Sequence, residues 1–425
     1  MKIIKYPDKK DWLEILRRPL IDSFSLEETV KNILQEVKKK GDEAVRRFTL
    51  QFDKADIDDL RVSDKEINDA ENFLSKDLKN AIAHAKNNIE KFHSVQLKDT
   101  EFVETMPGVE CWRKAVAIEK VGLYVPSGTA PLFSTILMLG IPAMLAGCKE
   151  IVLCTPPNAE GKLNAAILFT AKLVGITKIF RIGGVQAIAA MSYGTESIPK
   201  LYKIFGPGNQ YVTCAKQWVQ REGVAIDLPA GPSEVAVYAD ETADPAFIAA
   251  DLLSQAEHGI DSQVLFVTVQ QLLIDEVIKE LDKQIVELPG KNIAVRALES
   301  SRIILVKDEI EAIDLLNEYA PEHLILACAN ADELAEKIVN AGSVFIGNYS
   351  PESAGDYATG TNHTLPTNGY AKAYSGVSVD SFVKKITFQK LTEQGLKNIG
   401  KTVELMAEAE GLLAHKNAIS VRINN

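Results

Sequence analysis

Apolar positions in the first hundred residues recur every three or four steps. Val30, Ile33, Leu34 and Val37 follow Ser25-Leu-Glu-Glu28, a capping box, and Gly41 supplies a stop, so the spacing predicts a helix. Ser63-Asp-Lys-Glu66 is a second box, opening a longer helical pattern through Ile67, Leu74, Leu78, Ile82, Ala85, Ile89 and Phe92. From about residue 121 the period changes. Short apolar runs at 121–125, 150–154, 178–182, 202–205 and 224–227 alternate with helix-length stretches beginning near Pro131, Leu163, Val185 and Gln210. The alternation returns with runs at 234–238, 264–267 and 302–306 and helices expected over 244–258 and 272–281. Strands alternating with helices imply parallel βαβ units. The tail from about Ser381 reads as helical again.

The fold class is therefore α/β, with two α/β units between an N-terminal helical segment and a C-terminal helical tail. The expected division is a helical arm over 1–24, one α/β domain built from 25–120 with 236–380, a second over 121–235, and a tail over 381–425. The stretch 121–148 carries no charged residue and exceeds the ~20 residues that cross a bilayer. Pro126, Pro131 and Pro142 interrupt it, so it reads as a buried strand, a turn and a buried helix. No repeat is visible at a period of 20–50 residues.

At 425 residues the chain suits two or three domains. Its 47 basic and 58 acidic side chains give 47 − 58 = −11, a balance against nucleic acid or an anionic membrane as the main partner and in favour of a small soluble ligand. Five scattered cysteines without Cys-x-x-Cys spacing indicate neither a disulfide framework nor a thiolate metal site. The N-terminus lacks the features of a secretory signal. A reducing, cytoplasmic setting is expected.

Candidate chemistry lies in the turns. Gly206-Pro-Gly-Asn209 follows an apparent strand, with Asp227 near the place of a ribose-binding acid, but Tyr211 stands where a third glycine would be. It reads as either a plain tight turn or a partial dinucleotide fingerprint. Ile182-Gly-Gly-Val-Gln186 is a second strand-to-helix glycine turn. Of six histidines, His84 and His93 sit in the N-terminal amphipathic helix and read as structural. Gln255-Ala-Glu-His258 ends a helix and projects two ligand types from one face, which suits Zn²⁺ or a similar ion, although helix capping would use the same residues. Pro321-Glu322-His323 sets a carboxylate beside an imidazole, the groups that successive proton removals require. The polar loop 350–363 offers Asp356 as an oxygen ligand and His363 as a substrate contact. Glu410 and His415 pair another carboxylate and imidazole in the tail.

Taken together, Gln255-x-x-His258, Pro-Glu322-His323, Ser-Ala-Gly-Asp356-Tyr and Glu410…His415, with Gly-Pro-Ser233-Glu between them, resemble the histidinol dehydrogenases along nearly the whole chain. The resemblance implies incomplete Rossmann-like units and an NAD-dependent, four-electron oxidation of L-histidinol to L-histidine through a bound aldehyde. It implies Gln255, His258, Asp356 and His415 as ligands of one zinc that positions substrate, with Ser233, His323, His363 and Glu410 as further substrate contacts. His323 is implied as the base of both oxidations, and Glu322 as the group that activates water between them. Tyr124, Gln186 and Asn209 match the NAD contacts. A homodimer is implied in which the tail crosses into the partner's site. A thiohemiacetal route is not supported, because Cys154 and Cys328 sit in apolar runs. A zinc-dependent hydrolase of a small amine or imidazole would share the metal ligands but need no nucleotide turns. A metabolite-binding protein would tolerate loss of Glu322 and His323.

Overall fold

The computed structural model describes residues 1–19, 23–127, 131–229 and 231–424. Two parallel sheets organise them. The first has five strands, in the order Lys178–Arg181, Glu150–Thr155, Lys120–Tyr124, Lys203–Phe205 and Ala225–Ile226. Counted along the chain this order is third, second, first, fourth, fifth, a doubly wound arrangement one strand short of six. The second sheet repeats it with Arg302–Leu305, Gln263–Thr268, Glu234–Ala239, His323–Ala327 and Ser343–Ile346, and Lys2–Lys5 adds a sixth strand outside Arg302–Leu305.

Both sheets are covered on both faces, which is why their strands are apolar without alternation. Tyr124, Val152 and Cys154 face helices that carry Val30, Leu34, Val45 and Ile188. Val121, Leu123 and Leu153 face the other way, toward Ile82, Ile89, Met138 and Ile167. The helices Ser23–Lys40, Asp42–Asp53 and Lys76–Ser94 therefore pack on the five-stranded sheet. This corrects the grouping of 25–120 with 236–380: the amphipathic faces were legible, but which sheet they cover is decided by contacts far apart in sequence. In the second unit Val235 and Val237 face Leu252, Ile274 and Ala297, while Ala236 and Tyr238 face Trp12, Leu315 and Leu316.

The two ends of the chain depart from expectation. Residues 1–24 are not simply a helical arm. Lys2–Lys5 is a strand in register with Arg302–Leu305, and among the described residues the short helical turns Lys9–Asp11 and Trp12–Ile15 lie between it and Ser23–Lys40. Ser25 falls inside that last helix, and its side chain lies outside the described residues. The tail opens with a strand: Val383–Leu391 runs antiparallel to Val109–Ala117, with the Phe388 ring stacked on Trp112 at 5.3 Å between centroids. Its lysines look helical in isolation, but side chains on one face of the strand find partners across the sheet. The helices Glu393–Ala409 and Leu413–Ile423 then fold back on each other. Within 121–148, the expected buried helix is the 14-residue Phe133–Ala146, and no described helix is long and apolar enough to cross a membrane.

Candidate active site

The helix Glu309–Tyr319 ends on Ala320 in the left-handed conformation (φ 51°), which turns the chain into the strand His323–Ala327. Glu322 and His323 thus stand at the amino end of a central strand, with His323 in register with Val235 of the neighbouring one. Both are buried, 7% and 3% exposed. The Glu234 backbone holds the pair. Its N–H donates to Glu322 Oε2 (2.9 Å), and its carbonyl lies 3.2 Å from His323 Nδ1, so a proton on Nδ1 is held there and Nε2 faces outward. Arg18 fixes Glu234 in turn, donating from Nε to Oε1 (2.6 Å) and from its terminal nitrogen to Oε2 (2.8 Å).

A second group meets this pair. His258 follows the helix Pro245–Ala256, and the helix Glu352–Tyr357 presents Glu352 and Asp356 four apart on one face. Ligand atoms of His258, Glu352 and Asp356 lie within 4.8 Å of one another. Gln255 is buried beside them: its amide donates to Glu352 Oε1 (2.8 Å) and accepts from the Glu234 N–H (3.2 Å). Ser254 Oγ donates to Glu352 Oε2 (2.9 Å). Asp356 Oδ1 lies 3.4 Å from His323 Nε2. His363 bridges the two units, with Nδ1 2.9 Å from the Asp356 carbonyl and Nε2 3.1 Å from Thr135 Oγ1.

The electrostatics ask for a cation. Burial pushes Glu322 up to about 8 and Glu352 up to about 7. Burial also opposes charge on His323, but the Glu322 and Asp356 carboxylates outweigh it and carry the imidazole up to about 10. Glu234 is neutralised by Arg18, whereas among the described residues Glu322, Glu352 and Asp356 pair with no Lys or Arg and face the imidazoles of His258, His323 and His363. Asp356 Oδ1 and His323 Nε2 are buried without a hydrogen-bond partner. Unsatisfied oxygen and imidazole donors of this kind fit a divalent ion of borderline or hard character.

Of the residues singled out in the sequence, Gln255, His258, Asp356, Glu322, His323 and His363 come together, and Ser233 lines the same cavity. Glu410 and His415 do not join them within one chain; they stand exposed on the tail hairpin. Glu352 escaped the sequence reading. Its signal was the Pro351-Glu352 helix start four residues before Asp356.

The nucleotide candidates lie at the carboxyl edge of the first sheet, where Asn209 lines that cavity. The Tyr124 hydroxyl accepts from the Gly184 N–H (3.2 Å). Gln186 is fully buried, with Oε1 unpartnered. Asn209 caps the helix Gln210–Arg221, accepting from the N–H groups of Tyr211 and Val212. A side chain at Gly206 (φ 129°) would collide with the Tyr124 carbonyl, so the turn needs glycine there. Asp227 is no free ribose acid. Its Oδ2 accepts from the Gly206 N–H (2.7 Å), and it pairs with buried Lys216, which donates to the Gly206 carbonyl (2.8 Å).

Fold and site define a two-unit α/β enzyme with a buried acid–imidazole pair beside a cluster of oxygen and imidazole donors, reached from one cavity through Glu322 and His258. Residues 16–423 match the family model for histidinol dehydrogenase. The chain is 60% identical to histidinol dehydrogenase of Bacteroides thetaiotaomicron over 100% of its length and 99% of the relative's, and 49% identical to that of Escherichia coli over 97% and 94%. It superposes on the crystal structure of histidinol dehydrogenase from Elizabethkingia anophelis with a TM-score of 0.97 at 54% identity, covering 100% of this chain and 98% of that one. The chain belongs to the histidinol dehydrogenase family.

Proposed function

We propose that the protein oxidises L-histidinol to L-histidine in two NAD⁺-dependent steps, in the cytoplasm, as a homodimer. The observation that carries the reading is the Glu322–His323 pair beside the His258, Glu352 and Asp356 cluster, in a cavity that also reaches the glycine turn at Gly206. NAD⁺ would supply the hydride acceptor, and a zinc ion, which Gln255, His258, Asp356 and the partner subunit's His415 would hold, would supply positive charge for positioning the substrate.

The chain's own groups move the protons. His323, with Nδ1 tied to the Glu234 carbonyl and Nε2 freed of its proton once a bound cation offsets the Glu322 and Asp356 charges, takes the alcohol proton at Nε2 as the carbinol carbon is oxidised to the aldehyde. Glu322, held by the Glu234 N–H, takes a proton from the water that adds to that aldehyde. His323 takes the proton of the hydrated aldehyde in the second oxidation. Ser233 and His363 line the substrate cavity. Tyr124, Gln186 and Asn209 are the nucleotide contacts. Burial pushes the Cys154 thiol up and that of Cys328 up to about 12, which supports a route without a thiolate.

A shared site is supported by the tail, whose hairpin leaves Met406 (61% exposed) and Leu413 (64% exposed) uncovered beside Glu410 and His415. The test is stoichiometry: purified protein given histidinol and NAD⁺ should form two NADH per histidine without free aldehyde. One NADH with released aldehyde would refute the two-step reading.

A further inference from the structure

We propose that Asp53 receives the adenosine ribose diol of the dinucleotide and thereby selects against a 2′-phosphate, an assignment that rests on the NAD⁺ reading above. In sheets of this strand order the dinucleotide lies across the carboxyl edge, and an acid at the end of the second strand holds the ribose. Here the second strand, Glu150–Thr155, runs into Pro156, Pro157 and Asn158, none of them acidic. Asp227, the acid at fingerprint spacing, is taken by Gly206 and Lys216.

Asp53 fills that position from outside the sheet. It is the last residue of the helix Asp42–Asp53, where Lys54 in the left-handed region (φ 59°) stops the helix. A β-carbon built on Gly183 would lie 2.5 Å from Pro156 Cβ and 3.3 Å from Asp53 Oδ1, so the carboxylate sits between the end of the second strand and the glycine turn after the third. Gln186 Nε2 lies 3.5 Å from Asp53 Oδ2, while Gln186 Oε1 is buried with no partner. A cavity of about 420 Å³ opens beside them, lined by Asp53, Ser127, Pro156, Asn158, Lys162 and Asn164. Burial pushes the Asp53 carboxyl up to about 6. Ribose hydroxyls would give it two donors without burying another charge, whereas a 2′-phosphate would set like charges together.

The experiment titrates metal-loaded, full-length protein with NAD⁺, NADP⁺ and an NAD⁺ analogue lacking the adenosine 2′-hydroxyl, reading binding by calorimetry. Wild type should prefer NAD⁺ and bind the analogue about tenfold more weakly, the scale of one charge-assisted hydrogen bond. Asp53→Asn should narrow the preference for NAD⁺ over NADP⁺ at least tenfold and bind the analogue as well as NAD⁺. Asp53→Glu, which keeps the charge, should retain the preference. A wild type that binds NAD⁺ and the analogue equally overturns the proposal without any variant, as does an unchanged NAD⁺ to NADP⁺ ratio in Asp53→Asn. A wild type that binds neither nucleotide overturns the NAD⁺ reading itself, and the assignment of Asp53 with it.

Discussion

The two parallel sheets share one strand order and use opposite edges. In the first, the carboxyl edge is open: the turns after its first, third and fourth strands carry Tyr124, Gly183 to Gln186, and Gly206 to Asn209. In the second, the corresponding edge is tied shut, with Asp240 accepting from Thr242 and from the Ala329 N–H. Its amino edge instead presents Ser233, Glu234, Glu322 and His323. One winding thus supports two kinds of site. Helix N-termini and glycine turns at a carboxyl edge suit phosphates. An amino edge lets side chains just before a strand be gripped by the neighbouring strand's backbone, as Glu234 grips both Glu322 and His323.

If the edges are separate in function, insults to one should spare the other. Removing the metal with a chelator should abolish turnover while NAD⁺ binding, measured by calorimetry, stays largely intact; loss of NAD⁺ binding as well would mean that the cluster holds cofactor. His323→Ala should lower kcat by roughly 10²–10⁴ in both oxidations, the usual span for a general base. Glu322→Gln should slow the water-dependent second oxidation more than the first, as followed by single-turnover NADH formation. Equal losses would erase the division of labour within the amino edge.

At the other edge, Lys216→Met leaves Asp227 buried without its partner. Denaturant unfolding should show a loss of about 3–5 kcal/mol, the cost of breaking a buried pair, while NADH stoichiometry is unchanged. An unaltered stability would mean that Asp227 is free for ligand after all.

The smallest expected signal tests the tail. Co-expressing His323→Ala and His415→Ala chains, each inactive alone, gives mixed dimers in about half the population, each with one intact site of two. Roughly a quarter of wild-type activity should return if the tail crosses over. No return means that each tail serves its own chain.

What was legible in the sequence was local. The Ser63 box is present with both of its hydrogen bonds, and the motifs around Gln255, His258, Glu322, His323 and Asp356 converge as their residue types suggested. What was not legible depended on distant contacts. Lys2–Lys5 is four residues long and acquires strand identity only from Arg302–Leu305. The helices of the first hundred residues show their apolar faces but not the sheet those faces cover. Asp53 carries no motif signal in the sequence, and Glu352 lies in the stretch read as a polar loop. Asp227 had the right spacing for a ribose, but no pattern could show that Lys216 and Gly206 already occupy it.

The edge strand Lys2–Lys5 also sets a timetable for synthesis. Its partner follows about 300 residues later, so at roughly 5–20 residues per second the ribosome leaves the strand waiting some 15–60 seconds. The core of the first unit, from Leu26 to Ile226, emerges almost entirely in that interval and can collapse while the second sheet is still unfinished. An unpaired apolar strand is a template for association with other nascent chains, and here the two isoleucines are bracketed by Lys2 and Lys5, charges that disfavour stacking on a copy of itself.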